Sequence, residues 1–380
     1  MLLQTIAWQE EAGWSAPWPT GLDSPQTLAV MFGGIASDAS RNAIAEVSRQ
    51  LPHSVMLGCS TAGEIFETRV QDASLTVAIA RFDDVTLRKV ALPIGSDSDS
   101  RVAGREIGLA LRDADLRAVF VLSDGLCVNG SQLAMGLNDV LPEDIVVTGG
   151  LAGDGERFGN TWVLAGNEPA SRYVTAVGLY GDRLRVGHGC DAGWSTFGPE
   201  RRVTRAEGNV LYELDGKPAL ELYKSYLGDR AAGLPATAML FPLSIRRDDD
   251  DAHPLVRTIL GIDEHTQALT FAGDIPQGYL ARLMRTNTER LIQSAGHAGR
   301  AAAIDFPQTG APLALSVSCV GRRLVLGERT EEEIESVQGA LPERAEQIGF
   351  YSYGEMSPRQ PGGGCDLHNQ TMTVTLFDEA

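Results

Sequence analysis

GCSTAGEI at residues 58–65 and GFYSYGEM at residues 349–356 share the spacing Gly-x-x-x-x-Gly-Glu, through Gly58, Gly63 and Glu64 in one and Gly349, Gly354 and Glu355 in the other. A third glycine-rich exit, GGLAGDG at residues 149–155, stands in the same kind of context. Reading outward from each, an apolar run is followed by a polar loop, a helical pattern and a second apolar run that ends in glycine. In the first copy the runs are 28–32 (LAVMF) and 54–57, with Ala43, Ile44, Val47 and Leu51 at helical spacing over 38–51, and a further strand at 75–82. In the second they are 118–122 (AVFVL) and 145–148, with a helix at 130–141 and strands at 162–164 and 173–179. In the third, 313–317 leads by a longer loop to a helix at 331–341, then to GFYSYGEM and a last strand at 371–377. The pattern predicts an α/β fold of mixed β-sheets flanked by helices, built from internal pseudo-repeats.

Glycine at a strand exit permits positive φ, a sharp turn, or a close approach to a ligand. Equivalent units packed in one architecture bring equivalent strand ends together, as at many α/β binding sites. The expected ligand cleft therefore lies where the glycine-rich loops converge, and Gly58, Cys59, Ser60, Gly149, Gly150, Asp154, Tyr353 and Glu355 are its candidates. The stretch between the second and third copies differs in texture. Residues 183–190, 202–205 and 210–214 read as strands, with Glu207, Gly208 and Asn209 as turn chemistry. ALELYKSYLG then places Leu220, Tyr223 and Leu227 on one helical face and ends at Gly228. This sets a lead-in at 1–27, one domain at 28–217 and a second at 218–380. A further helix is expected over 279–295, and Thr330 with Glu333 has the spacing of a capping box. The acidic run at 248–251 reads as a solvated loop, without the alternation and glycine of a calcium loop.

The 380 residues carry 50 Asp+Glu against 32 Lys+Arg, a formal charge of -18 that repels phosphate backbones, so nucleic acid is not expected as a partner. No run of about 18 apolar residues occurs, so no membrane insertion is expected. The opening MLLQTIAWQEEAGW lacks the basic and apolar regions of an export signal, and the expected location is the cytoplasm. Cys59, Cys127, Cys190, Cys319 and Cys365 include no C-x-x-C pair, which argues against disulfides and a thiolate zinc site.

Catalytic motifs are missing: Ser60 and Ser352 are not in a G-x-S-x-G elbow, and no P-loop, H-E-x-x-H or G-x-G-x-x-G after a strand is present. An enzyme is not expected; the enzymatic alternative is a cysteine-dependent hydrolase using Cys59, which would need a histidine or positive neighbour to form a thiolate. Of six histidines, His53, His253, His265 and His297 lie in polar surroundings. His188 is flanked by glycines that would let a planar ligand approach, and His368 sits where a loop enters the final strand.

The motifs GCSTAGEI, GGLAGDG, ELDGKPALELY from Glu213, GFYSYGEM and LHNQTMTVTLF from Leu367 together resemble the FIST proteins, with paired FIST N and FIST C regions. The resemblance spans almost the whole chain. It implies a sensory module that binds a small ligand and reports to signal-transduction partners. Its sharpest version is similar to NosP-type haem proteins, which sense nitric oxide and act on sensor histidine kinases. It then implies haem b, held non-covalently, with His368 as the iron ligand and Asn369 or Glu355 orienting the imidazole. The alternative it leaves open is an amino-acid-like ligand without haem; a homodimer is also left open.

Overall fold

The computed structural model describes residues 1–34, 37–95, 99–360 and 362–380. Three copies of one unit are present. Each has an edge strand, a first and a second parallel strand joined by a crossover helix, a hairpin, and a return strand that runs back between the edge strand and the first strand.

In the first copy these are Leu2–Gln9, Thr27–Gly33, helix Asp38–Gln50, Val55–Cys59, the hairpin Glu64–Phe66 and Arg69–Gln71, and Leu75–Arg81. In the second they are Thr86–Pro93, Leu116–Ser123, helix Gly130–Asn138, Val146–Leu151, the hairpin Val163–Ala165 and Glu168–Ala170, and Tyr173–Tyr180. The third has Leu184–Asp191, Leu313–Cys319, helices Val320–Leu326 and Thr330–Gln338, Glu346–Ser352, the hairpin Gly354–Pro358 and Cys365–His368, and Met372–Glu379. Central strands covered on both faces must be apolar throughout, which is why they read as unbroken runs in the sequence.

The hairpins do not stay with their own sheets. Glu64 of the first hairpin pairs with Phe350 of the third sheet, Val163 of the second with Cys59 of the first, and Glu355 of the third with Gly150 of the second. Each copy thus lends its hairpin to another in cyclic order, and the three sheets close into a prism. Their inner faces meet in one apolar core that draws Phe32, Phe120, Phe350 and Phe377 together. Phe32 stacks on Phe350 at 4.7 Å, and Phe120 meets Phe377 edge-on at 6.5 Å. Helices cover the outer faces, Ala43, Ile44 and Val47 over the first sheet and Ile107, Leu133, Ala298 and Ile334 over the others.

Residues 195–285 form a second body, inserted in the third copy after its edge strand. Its eight-stranded antiparallel sheet is organised by the long strand Ser195–Glu207, whose first half pairs with Leu280–Arg285 and whose second half pairs with Val210–Leu214. Helix Ala219–Leu227 packs Leu220, Tyr223 and Leu227 into a separate apolar core with Phe271 and Leu211. The boundary expected at 217/218 falls within this body. The helix expected over 279–295 is corrected: Leu280–Arg285 is a strand, and the helix runs Thr288–Ala302 behind Asn287, whose side chain accepts from the Arg290 N–H. The capping box at Thr330 is not formed, because the helix N-cap is Arg329 and the Glu333 carboxylate turns inward to Arg322. No helix among the described residues is long and apolar enough to cross a membrane.

Candidate functional site

Gly58, Gly149 and Gly349 occupy equivalent places, each opposite the first parallel strand of its own copy: Met31, Val121 and Ser316. A Cβ there would lie 2.6 Å from the Met31 carbonyl oxygen, 1.8 Å from that of Val121 and 1.9 Å from that of Ser316. These glycines serve strand packing, not ligand approach. The loops that follow do meet, through backbone hydrogen bonds in a closed circuit. Gly153 N–H donates to Ser60 O, Tyr353 N–H to Leu151 O, and Ala62 N–H to Tyr351 O. The expected hollow between all three loops is therefore filled by their own peptide groups.

The carboxylates behind these loops are structural as well. Glu64 accepts from the Thr61 hydroxyl and from Ser74 N–H and hydroxyl, both at 2.9 Å. Glu355 accepts in the same way from the Ser352 hydroxyl at 2.6 Å and from Thr371 hydroxyl and N–H at 2.8 and 3.1 Å. Each ties the residue that leads into the return strand. In the second copy Val163 occupies the glutamate position, and Asp124 does the work from the end of the first strand, accepting from Arg172 N–H at 2.7 Å and the Thr161 hydroxyl at 2.8 Å. Burial pushes both glutamates up to about 7, against the lowering effect of their hydrogen bonds.

Cys59 is fully buried in the prism core, and burial, then the nearby Glu64 carboxylate, raise its thiol well above the usual range. A thiolate nucleophile is thereby excluded at this position. Ser60 Oγ accepts from Trp162 N–H at 3.0 Å, and Asp154 organises its own loop by accepting from Gly159 and Asn160 N–H. The glycines beside His188 let helix Thr288–Ala302 approach: a Cβ on Gly187 or Gly189 would be 2.0 Å from Ala302 O or Ala298 O. His368 is buried in the hairpin strand Cys365–His368, where its Nε2–H donates to Ser357 O at 2.9 Å. Burial lowers it to about 4, so the ring is neutral.

A cavity of about 370 Å³ lies one step outward from the loop circuit. Its floor is formed at the carboxyl ends of two equivalent parallel strands, by Gly125, Val128 and Gly130 after Leu116–Ser123 and by Cys319, Val320 and Gly321 after Leu313–Cys319. Leu151, adjoining Gly150 in the second loop, and Tyr353 in the third form one wall, with Asn369 beside them. The roof comes from the inserted body: Asn209, Met239, Thr258, Leu260 and Phe271. Phe158 stands at the mouth, stacked on Tyr353 at 4.5 Å, while Tyr353 donates its hydroxyl hydrogen to Gly155 O at 3.0 Å.

Of the expected site residues, Tyr353 and Asn369 line this cavity; His368, Glu355, His188, Gly58, Cys59, Ser60, Gly149, Gly150 and Asp154 do not. The roof residues had no signal in the sequence, because their contribution depends on folding the inserted sheet over two strand ends distant in the chain.

Polar bonds tie roof to prism. Arg257 Nη1 donates to Leu367 O at 3.0 Å, the Asp274 carboxylate accepts from Asn129 Nδ2 at 2.8 Å and Gln132 Nε2 at 2.5 Å, and Gln370 Nε2 donates to Met239 O at 3.1 Å.

Residues 27–217 match the model of the FIST N domain, and residues 219–358 match that of the FIST C domain. An uncharacterized protein of Methanocaldococcus jannaschii is 26% identical over 310 residues, covering 73% of this chain and 57% of its own length. The chain thus spans little more than half the length of that relative.

Proposed function

The chain belongs to the FIST family, with its N and C domains in order, and from that premise we propose that it is a small-ligand sensory protein of signal transduction whose ligand binds in the cavity between prism and inserted sheet. The observation that carries this reading is the construction of the cavity. Its floor is rigid, at the ends of two core strands, and its roof is a body with its own apolar core, joined to the floor by polar bonds. Bodies joined in this way move relative to one another by default. A ligand that touches both floor and roof therefore favours one arrangement over the other, to the extent that its contacts differ between them. A partner protein that reads the roof position would receive the signal.

The haem and nitric oxide version of this reading requires an axial ligand in the cavity and groups to meet two propionates. The residues do not fit its histidine-ligated form. The His368 ring lies outside the lining with Nε2 spent on Ser357, and among the described residues the lining carries no histidine, arginine or lysine. Titrating purified protein with haem checks this directly: no histidine-ligated Soret band is expected, and a band lost in His368→Ala would restore the haem reading with its nitric oxide and histidine kinase sequel.

The sensory reading itself is tested by hydrogen exchange on the full chain with and without a ligand found by thermal-shift screening. Added protection is expected both at 125–130 and at 255–273. Protection confined to one body would defeat it.

A further inference from the structure

A second cavity, of about 500 Å³, opens along the same seam between prism and inserted body, with Arg257 in its wall where the next residue, Thr258, lines the first cavity. Arg257 is 3% exposed, and its guanidinium bonds only carbonyl oxygens: Nε donates to Asp274 O at 3.1 Å, and Nη1 donates to Val256 O at 3.2 Å and Leu367 O at 3.0 Å. Nη2 has no partner among the described residues and keeps accessible surface where Arg257 lines the cavity. The carboxylates of the same wall are already engaged. Asp274 is held by Asn129 and Gln132, and Asp366 by Arg359 at 2.5 Å. Burial lowers Arg257 to about 10, which leaves it charged at neutral pH. A buried cation without a bonded counter-charge is costly, so an anion that reaches it gains more than it would from an exposed arginine.

We propose that this cavity is a second ligand site, separate from the sensory one, and that it takes a small organic carboxylate whose oxygen accepts from Arg257 Nη2. The rest of the described lining sets that class. Ile245, Leu255 and Ile275 give an apolar wall that suits a hydrocarbon body. Arg247 and Arg359 join Arg257 against the carboxylates of Asp274 and Asp366, which leaves one positive charge in excess in a chain whose formal charge is -18. One excess charge matches a monoanion. A phosphate dianion brings a second negative charge toward Asp274 and Asp366, and that repulsion counts against it.

Three probes of one shape separate the chemistries by calorimetric titration of the full chain at fixed ionic strength: 3-phenylpropionate, a monoanion; 3-phenylpropanamide, which is neutral; and phenethyl phosphate, a dianion at about pH 8. The propionate is expected to bind, and the amide and the phosphate to bind about tenfold more weakly. Arg257→Met keeps an unbranched stem and removes the cation, and is expected to weaken 3-phenylpropionate about tenfold. Should that variant not unfold cooperatively, Arg247→Gln at an exposed position supplies the comparison, with binding about threefold weaker. Hydrogen exchange on the parent chain locates the site: 3-phenylpropionate is expected to add protection at 274–279 and 365–367. An amide or phosphate that binds as tightly as the propionate, an unchanged affinity in the variant that folds, protection at 125–130 instead, or no binding by any probe would overturn this inference. None of these results decides the sensory reading, which stands or falls on exchange at the first cavity with its own ligand.

Discussion

Arg322 and Glu333 are both fully buried and bonded to each other at 2.8 and 3.0 Å. Every remaining demand is met nearby. Ser318 and Tyr351 hydroxyls donate to Glu333 at 3.0 and 2.6 Å, and the guanidinium donates to Ala192 O and Leu291 O, both at 2.8 Å. Removing one partner leaves an uncompensated charge in the core, so Arg322→Met is expected to cost about 3–5 kcal/mol in urea unfolding. Glu355 gives a different signature. Unfolded, its carboxyl titrates near 4.5; folded, burial holds it at about 7, so the native state binds more protons between those values and this contribution to stability falls as pH rises through them. His368 acts oppositely: it is held at about 4 against 6.5, so its contribution is lost as pH falls through that interval. The clean measurement is therefore a difference. Glu355→Gln should show a less negative dependence of unfolding free energy on pH between 5 and 7 than the parent, and an identical slope would refute the raised value.

At the scale of elements, the unbroken apolar runs revealed the parallel strands, because burial on both faces leaves little room for polar residues. Residues 279–295 misled for a related reason. Leu280–Arg285 alternates only loosely between buried and half-buried positions, and what makes it a strand is its pairing with residues 195–202, which local sequence does not report. The glycines were legible as special positions, but not in their role. Gly149 has φ +142, and a Cβ there would sit 1.8 Å from Val121 O. Gly149→Ala should therefore combine overpacking with left-handed strain and destabilise by about 2–5 kcal/mol in chemical denaturation.

For the whole molecule, the exchange of hairpins makes the three copies interdependent, since each sheet is completed by another copy's strands. The inserted body is different. The Thr286 hydroxyl donates to Gly193 O at 2.7 Å, so the points where the chain leaves and rejoins the prism adjoin. Replacing residues 195–285 by a short glycine-serine linker is expected to leave a cooperatively unfolding prism by circular dichroism while removing the roof of the cavity. Loss of the cooperative transition would show that the prism depends on its roof.

The sequence by itself determined the three copies, the α/β class, the family resemblance and the special status of residues 58, 149 and 349, because periodicity and glycine placement are local properties written in the chain. Only the tertiary structure decided which copy completes which sheet, that the loop circuit closes on itself, that the His368 ring lies outside the cavity, and that the inserted body roofs it. The reason is physical: a cavity is the space left when distant segments have packed and taken their hydrogen-bond partners, and local sequence does not report which segments meet.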